Sequence, residues 1–503
     1  MRQTRWTGLF LSLTLSLLVA CSATGKPATK EQLKTIPDVP TEFRAAWVAT
    51  VSNIDWPSKP GLSTKQQQKE LIDILDRCAE MNLNAVIFQV RTTADAFYQS
   101  DLEPWSYYLT GKQGQAPKPF YDPLKFAVEE AHKRGIELHA WFNPYRASQE
   151  HGKYEYDPSH IYKTNPDLVK TYGKKLWMDP GEPEVMKRSM DVFLDVAKRY
   201  DVDGIHIDDY FYPYRVANTE FPDKASYAKY QKAGGKLGVN DWRRHNVDTF
   251  IETFYKKLKK TRNDVKFGIS PFGIWKPGYP SNIQGMNQFE MIYADAKLWW
   301  NKGWLDYFTP QLYWEIRKPA QSFPSLLGWW ESENTKGRYL WPGMACYRVK
   351  DGTKRELDEK EIPFQIDWTR SLTKNGPGAV FFSMKQLMTN RGGLTKSISA
   401  KYSKRALVPS CDWLKAKAPK LPNAKVAMTS DEGVTVKLDK QSAADAINWI
   451  VQVKRGGKWY YEIEPVAKRT MKVDTKGGKV EMVVVTTVGR NSVMSPKSVI
   501  SGK

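Results

Sequence analysis

Cysteine and histidine are scarce, with 4 Cys and 6 His in 503 residues. None stands at the paired spacing of a zinc or iron–sulfur site, so no metal and no cofactor are expected. Once Cys21 is set aside for the leader, Cys78, Cys346 and Cys411 remain, an odd number with no metal-type spacing. Cys78 falls on a helical pattern and Cys346 in an apolar strand, where both read as small core residues. No apolar run reaches the roughly 20 residues that span a bilayer. Acidic residues are also outnumbered, 55 against 76 Lys and Arg, for a formal charge of +21. That excess is spread over amphipathic helices, as at Lys256, Lys257, Lys259 and Lys260, without a basic–aromatic motif. Nucleic acid is therefore not an expected partner, whereas a general attraction to an anionic envelope is.

What is present begins with a leader. Arg2 and Arg5 precede an apolar run from Leu9 to Ala20, and Leu18-Val19-Ala20-Cys21 has the lipobox pattern, in which the Cys21 sulfur takes a lipid. Residues 1–21 are thus expected to be a lipoprotein signal, and 22–40, rich in Ser, Thr, Lys and Pro, a flexible tether. Ser22 after the lipidated residue favours the outer membrane under the enterobacterial sorting rule. The expected product is an envelope lipoprotein held to a membrane by its lipid.

Eight apolar β-type runs then alternate with helical patterns: Phe43–Val51, Ala85–Val90, Glu137–Asn143, Gly204–Asp208, Lys266–Pro271, Tyr307–Tyr313, Tyr339–Cys346 and Ala379–Met384. Continuous rather than alternating apolar character suits parallel strands buried on both faces. Helix signals lie between them, including Ser63-Thr64, Asp122-Pro123 and Glu182-Pro183 as starts and Gly135 as a stop. The pattern predicts an α/β fold, a (β/α)8 TIM barrel over 41–405. A Lys-, Ala- and Pro-rich linker over 406–423 follows. Short strands with Gly-Gly turns at 456–457 and 477–478 then predict a small fibronectin type III-like β-sandwich over 424–503.

Barrel enzymes keep their chemistry where strands end, so polar groups at the strand ends are the candidates. The fourth ends His206-Ile-Asp208-Asp209; His206 and Asp208 share a face and Asp209 follows on the rim. The sixth ends Tyr313-Trp314-Glu315, and a carboxyl against apolar rings has a raised pKa suited to a general acid. An Asp and a Glu from different strands form the pair that glycoside hydrolysis uses. Asp208, Asp209 and Glu315 are accordingly the catalytic candidates, with Glu315 as acid and Asp208 as nucleophile or base. Arg91 and Asp95 after the second strand, Asn143 and Tyr145 after the third, and His206, Tyr313 and Trp314 are the substrate-binding candidates. Arg91 could hold a carboxylate ionised or bind an anionic sugar substituent.

Phe43-Arg-Ala-Ala-Trp-Val-Ala-Thr50, Phe88-Gln-Val-Arg91, Ala140-Trp-Phe-Asn-Pro-Tyr145 and Asp203-Gly-Ile-His-Ile-Asp-Asp-Tyr210 together resemble the glycosyl-hydrolase-like family 10 lipoproteins. The resemblance covers roughly Val39 to Leu394 and implies a barrel glycosidase. It further implies that the partner is the glycan of bacterial peptidoglycan, in strands that have lost their stem peptides; a monomer is expected. The stretch Asp203–Asp208 is also similar to the Asp-Gly-x-Asp-x-Asp-x-Glu strand of chitinase-type barrels, which use the substrate's N-acetyl group as nucleophile. Here Tyr210 stands at the Glu position and His206 replaces an Asp. A non-catalytic wall-binding lipoprotein is the remaining reading, and the acids at the strand ends speak against it.

Overall fold

The computed structural model describes residues 25–501, so the leader and the lipobox lie outside the described residues. Eight parallel strands form the main body: β1 Phe43–Val48, β2 Ala85–Arg91, β3 Glu137–Phe142, β4 Gly204–Ile207, β5 Lys266–Ile269, β6 Tyr307–Phe308, β7 in two pieces (Tyr339–Leu340 and Gly343–Met344), and β8 Gly378–Phe381. Pro342 divides β7, because proline has no N–H to give the ladder. The first piece pairs with β6 and the second with β8, while β8 pairs with β1. Trp341 N–H reaches Phe308 O on one side and Val380 N–H reaches Pro342 O on the other, so the ring closes at β7.

Each strand is followed by a helix: α1 Thr64–Glu80, α2 Pro123–Lys133, α3 Pro183–Arg199, α4 Val239–Thr261, α5 Ala296–Lys302, α6 Phe323–Ser332, α7 Glu361–Leu372 and α8 Leu394–Lys401. Local chemistry fixes their starts. Ser63 and Gln66 form a capping box on α1, and Asp122 accepts from Lys125 N–H ahead of Pro123 on α2. The strand interior is filled by large side chains, with Phe43 stacked on Trp341 at 3.9 Å and Tyr307 donating or accepting at both His139 and His206. Gly268 must lack a Cβ, since one would lie 1.9 Å from the Tyr307 ring.

Residues 424–501 form two sheets packed on Trp449, Val451, Val485 and Ile500. This sandwich docks on the end of the barrel where strands begin. Asn448 donates to Gly135 O, Arg490 meets Asp203, and Asn491 donates to Asp264 O. Two sequence expectations are corrected at this end. The stretch expected as a flexible tether is ordered from Lys26: Lys26–Pro27 pairs with Ser498–Ser501, and Ile36 packs on Val484 and Val499. The stretch expected as a linker is a plug. Val408, Cys411 and Leu414 fill the barrel floor, and Trp413 donates to Asp306. In both cases a few apolar residues among many polar ones found a surface to bury against.

Candidate active site

The opposite end of the barrel carries the candidate acids. Asp208, one step beyond β4, is 3 % exposed and accepts from Trp141 Nε1 at 3.0 Å and Asn143 Nδ2 at 3.1 Å. Both donors come from β3 and its end, the neighbouring strand. Asn143 is itself fixed, because its Oδ1 accepts the backbone N–H of Arg146 at 2.8 Å. Burial raises the Asp208 pKa to about 7, outweighing the Arg146 charge and the two hydrogen bonds, while Asp209 adds to the rise. Asp209 is 4 % exposed, accepts from the Tyr214 hydroxyl and lies against Gln311. Its pKa is also raised, again chiefly by burial. Two adjacent buried carboxyls with raised pKa values lose their protons as a pair, and the first charge opposes the second.

The surroundings of the pair are cationic and aromatic. Arg146 lies over the Tyr210 ring, with its guanidinium carbon 4.8 Å from the centroid, and its Nε donates to Thr92 O. Tyr313 feels the charge of Asp209 and packs against Phe382 and Tyr347. Beneath the pair, His206 is fully buried between Ser270 Oγ at 2.9 Å and Tyr307 Oη at 2.9 Å. Burial and His139 push its pKa well down, so it is neutral.

Several substrate-binding candidates are corrected to structural roles. Arg91 has no exposed surface; it grips Glu103 with two nitrogens and the Asn143 and Pro144 carbonyls with a third. The carboxylate it pairs with is Glu103, a residue of the loop after β2. Asp95 spends both oxygens on Thr92 and Thr93. Tyr145 is buried against Phe250. His206 lies below the mouth, and Asn143 serves Asp208 rather than open space. The sequence showed that these residues end strands, but not that the loops after β2 and β3 fold over them.

Glu315 also differs from expectation. Its side chain is 42 % exposed and stands 3.8 Å from Arg348, which donates to Tyr313 O. The apolar enclosure expected for it is absent, because Trp314 turns toward Phe272. Conversely, the structure adds Arg146, Tyr214 and Gln311 to the site. In sequence only Arg146, three residues past Asn143, carries a signal of this.

A closed (β/α)8 barrel with buried acids at its C-terminal rim has the architecture of a barrel enzyme, and its family makes it a glycosidase. The chain belongs to the glycosyl hydrolase-like 10 family, whose model matches residues 42–359. It is 43 % identical over 391 residues to the glycosyl hydrolase YngK of Bacillus subtilis (strain 168), covering 76 % of each chain. To the glycosyl hydrolase DigH of Escherichia coli (strain K12) it is 34 % identical over 382 residues, covering 70 % of this chain and 85 % of that one. Among solved structures, the PgaB (BpsB) glycoside hydrolase domain from Bordetella bronchiseptica overlays on 72 % of this chain and 98 % of its own. That overlay has a TM-score of 0.47 and 12 % identity.

Proposed function

We propose that this glycosidase cleaves the glycan strands of bacterial peptidoglycan, in their peptide-free form, with Asp208 as general acid. The observation that carries the mechanism is the buried Asp208 carboxyl, fixed by Trp141 and Asn143 and half-protonated near pH 7. A proton donor with a pKa near the working pH is what leaving-group protonation needs. Asp209 beside it, steadied by Tyr214, supplies the carboxylate that faces the developing positive charge on the sugar. The acid role thus moves from Glu315 to Asp208, and Glu315 becomes an outer-rim contact.

The two acids are consecutive residues of one strand end rather than partners across the mouth. That arrangement favours a second reading of the same chemistry, in which the substrate's N-acetyl oxygen is the nucleophile and Asp209 orients it. Inhibition by an N-acetylglucosamine-derived thiazoline distinguishes the two; undiminished turnover at saturating thiazoline excludes substrate assistance.

The envelope location rests on the lipobox at Cys21. The chain enters the folded region at Lys26–Pro27 on the sandwich, and the sandwich sits on the barrel end away from Asp208. A lipid at Cys21 would therefore leave the mouth pointing away from the membrane, toward a wall. The direct test is digestion of amidase-treated sacculi by the purified protein, with mass analysis of the new ends. Release of peptide-free sugars by the wild type and none by Asp208→Asn is expected; binding without release would overturn the hydrolase reading for this substrate.

A further inference from the structure

Two cations at the mouth lack an anionic partner. Among the described residues neither Arg146 nor Lys175 forms an ion pair, although 37 such contacts are found elsewhere in the chain. Arg146 is 1 % exposed, and its Nη2 is buried without any hydrogen-bond partner. A buried guanidinium nitrogen left unpaired is costly, and a bound anion would relieve that cost.

Their placement follows from the insertion after β3. Arg146–Ser148, Lys175–Met178 and Val169–Tyr172 form a small antiparallel sheet with Lys175–Met178 at its centre. Arg146 stands directly opposite Trp177, and Lys175 is two residues from Trp177 on the same strand. All three side chains therefore share one face. That face meets Tyr210: the Arg146 guanidinium is 4.8 Å from its ring centroid and Lys175 Nζ 5.9 Å. Tyr210 directly follows Asp208 and Asp209. Lys175, half-buried, feels both Arg146 and Asp209. The acids have their own donors in Trp141, Asn143 and Tyr214, so neither cation is needed as their contact partner.

We propose that Lys175 and Arg146, converging on the Tyr210 ring beside Asp208 and Asp209, form a receptor for a free carboxylate on the bound sugar. In a peptidoglycan strand that group is the O-lactyl carboxylate exposed when the peptide is gone. This rests on the peptidoglycan reading above. Lys175 makes the contact from the more open side, and Arg146 supplies the second charge from behind. With a peptide attached, the same carbonyl is a neutral amide, which forfeits the charge interaction. The two residues would thereby select denuded strands over substituted ones.

The test compares denuded strands with the same strands after chemical reduction of the lactyl carboxylate to an alcohol. Lys175→Met is expected to lower kcat/KM on denuded strands by roughly 10- to 100-fold, mainly through KM, with Lys175→Arg recovering most of it. Carboxyl reduction should slow the wild type by a similar factor, and Lys175→Met should then add nothing. A Lys175→Met loss equal on both substrates, or absent on both, overturns the receptor, as does wild-type release that ignores carboxyl reduction. No wild-type release from either substrate overturns the peptidoglycan reading and the receptor with it. Arg146→Met is read only after a melting curve shows that it folds; the Lys175 variants, on a half-buried side chain, decide the matter.

Discussion

Asp203 and Asp208 flank the same four-residue strand, β4, and both are buried. Burial alone raises the pKa of either. At the floor of the barrel, Asp203 receives His132 Nε2 at 2.8 Å, Arg490 Nη1 at 3.0 Å and Leu138 N–H at 2.8 Å. Charged partners outweigh its burial and drive its pKa far down. At the mouth, Asp208 has only neutral donors, the Trp141 indole, the Asn143 amide and, more distantly, the Tyr210 backbone N–H, and Arg146 acts on it only from a distance, so burial wins and the pKa rises to about 7. One residue type on one strand has become a permanent anion at one end and a carboxyl that holds its proton up to near neutral pH at the other. The difference lies in whether a cation touches the carboxylate.

Substitutions at the two ends should separate these roles. Asp208→Asn is expected to have the largest effect, a loss in kcat of roughly 10²- to 10⁴-fold on glycan substrate. Its stability should move the other way. A carboxyl whose folded pKa is raised binds a proton more tightly when folded, so stability falls as pH rises from about 3.8 to about 7. The variant lacks that penalty, and its melting temperature should exceed that of the wild type at pH 8 and converge with it near pH 4. A variant less stable than wild type at pH 8 would break the comparison.

Asp203→Asn is expected to cost about 3–5 kcal/mol of stability while leaving the activity of the folded protein intact. The Asp203 contribution is present above its unfolded pKa near 3.8 and is lost as pH falls below it. The share felt through His132, whose pKa is raised, is full below pH 6.5 and lost above. Denaturant melts should therefore show the largest difference from wild type between about pH 4 and pH 6.5. Asn143→Ala should sharpen the picture more gently. It removes a donor that favours the ionised Asp208, so the alkaline limb of the pH–rate profile, near pH 7 in the wild type, should move upward. Glu315→Gln is expected to have the smallest effect, a loss of about tenfold or less in kcat/KM, because its side chain is open and stands beside Arg348. A larger loss at Glu315 than at Asp208 would return the acid role to Glu315.

Much of this architecture was legible in the chain. Apolar runs such as Ala85–Val90 and Glu137–Asn143 suit strands buried on both faces, and capped helical stretches between them leave few topologies besides the barrel. The period-2 rule placed His206 and Asp208 on one face, and the strand order placed Asp209 at the rim. Side-chain surroundings were not legible. Arg91 and Asn143 look alike as polar residues ending strands, yet one is clamped to Glu103 and the other to Asp208. Those partners lie 12 and 65 residues away. The same limit hid the floor plug and the ordered N-terminal segment, where scattered apolar residues gain a surface only once the barrel and sandwich exist.

Local periodicity and the order of elements were enough to read the barrel, the trailing sandwich and the acids at a strand end. Which acid has its pKa raised, and whether an arginine is clamped to a carboxylate as Arg91 is or lacks an ion-pair partner as Arg146 does, emerges from the folded chain alone. Those properties depend on burial and on contacts between residues far apart in the chain, and local pattern carries neither.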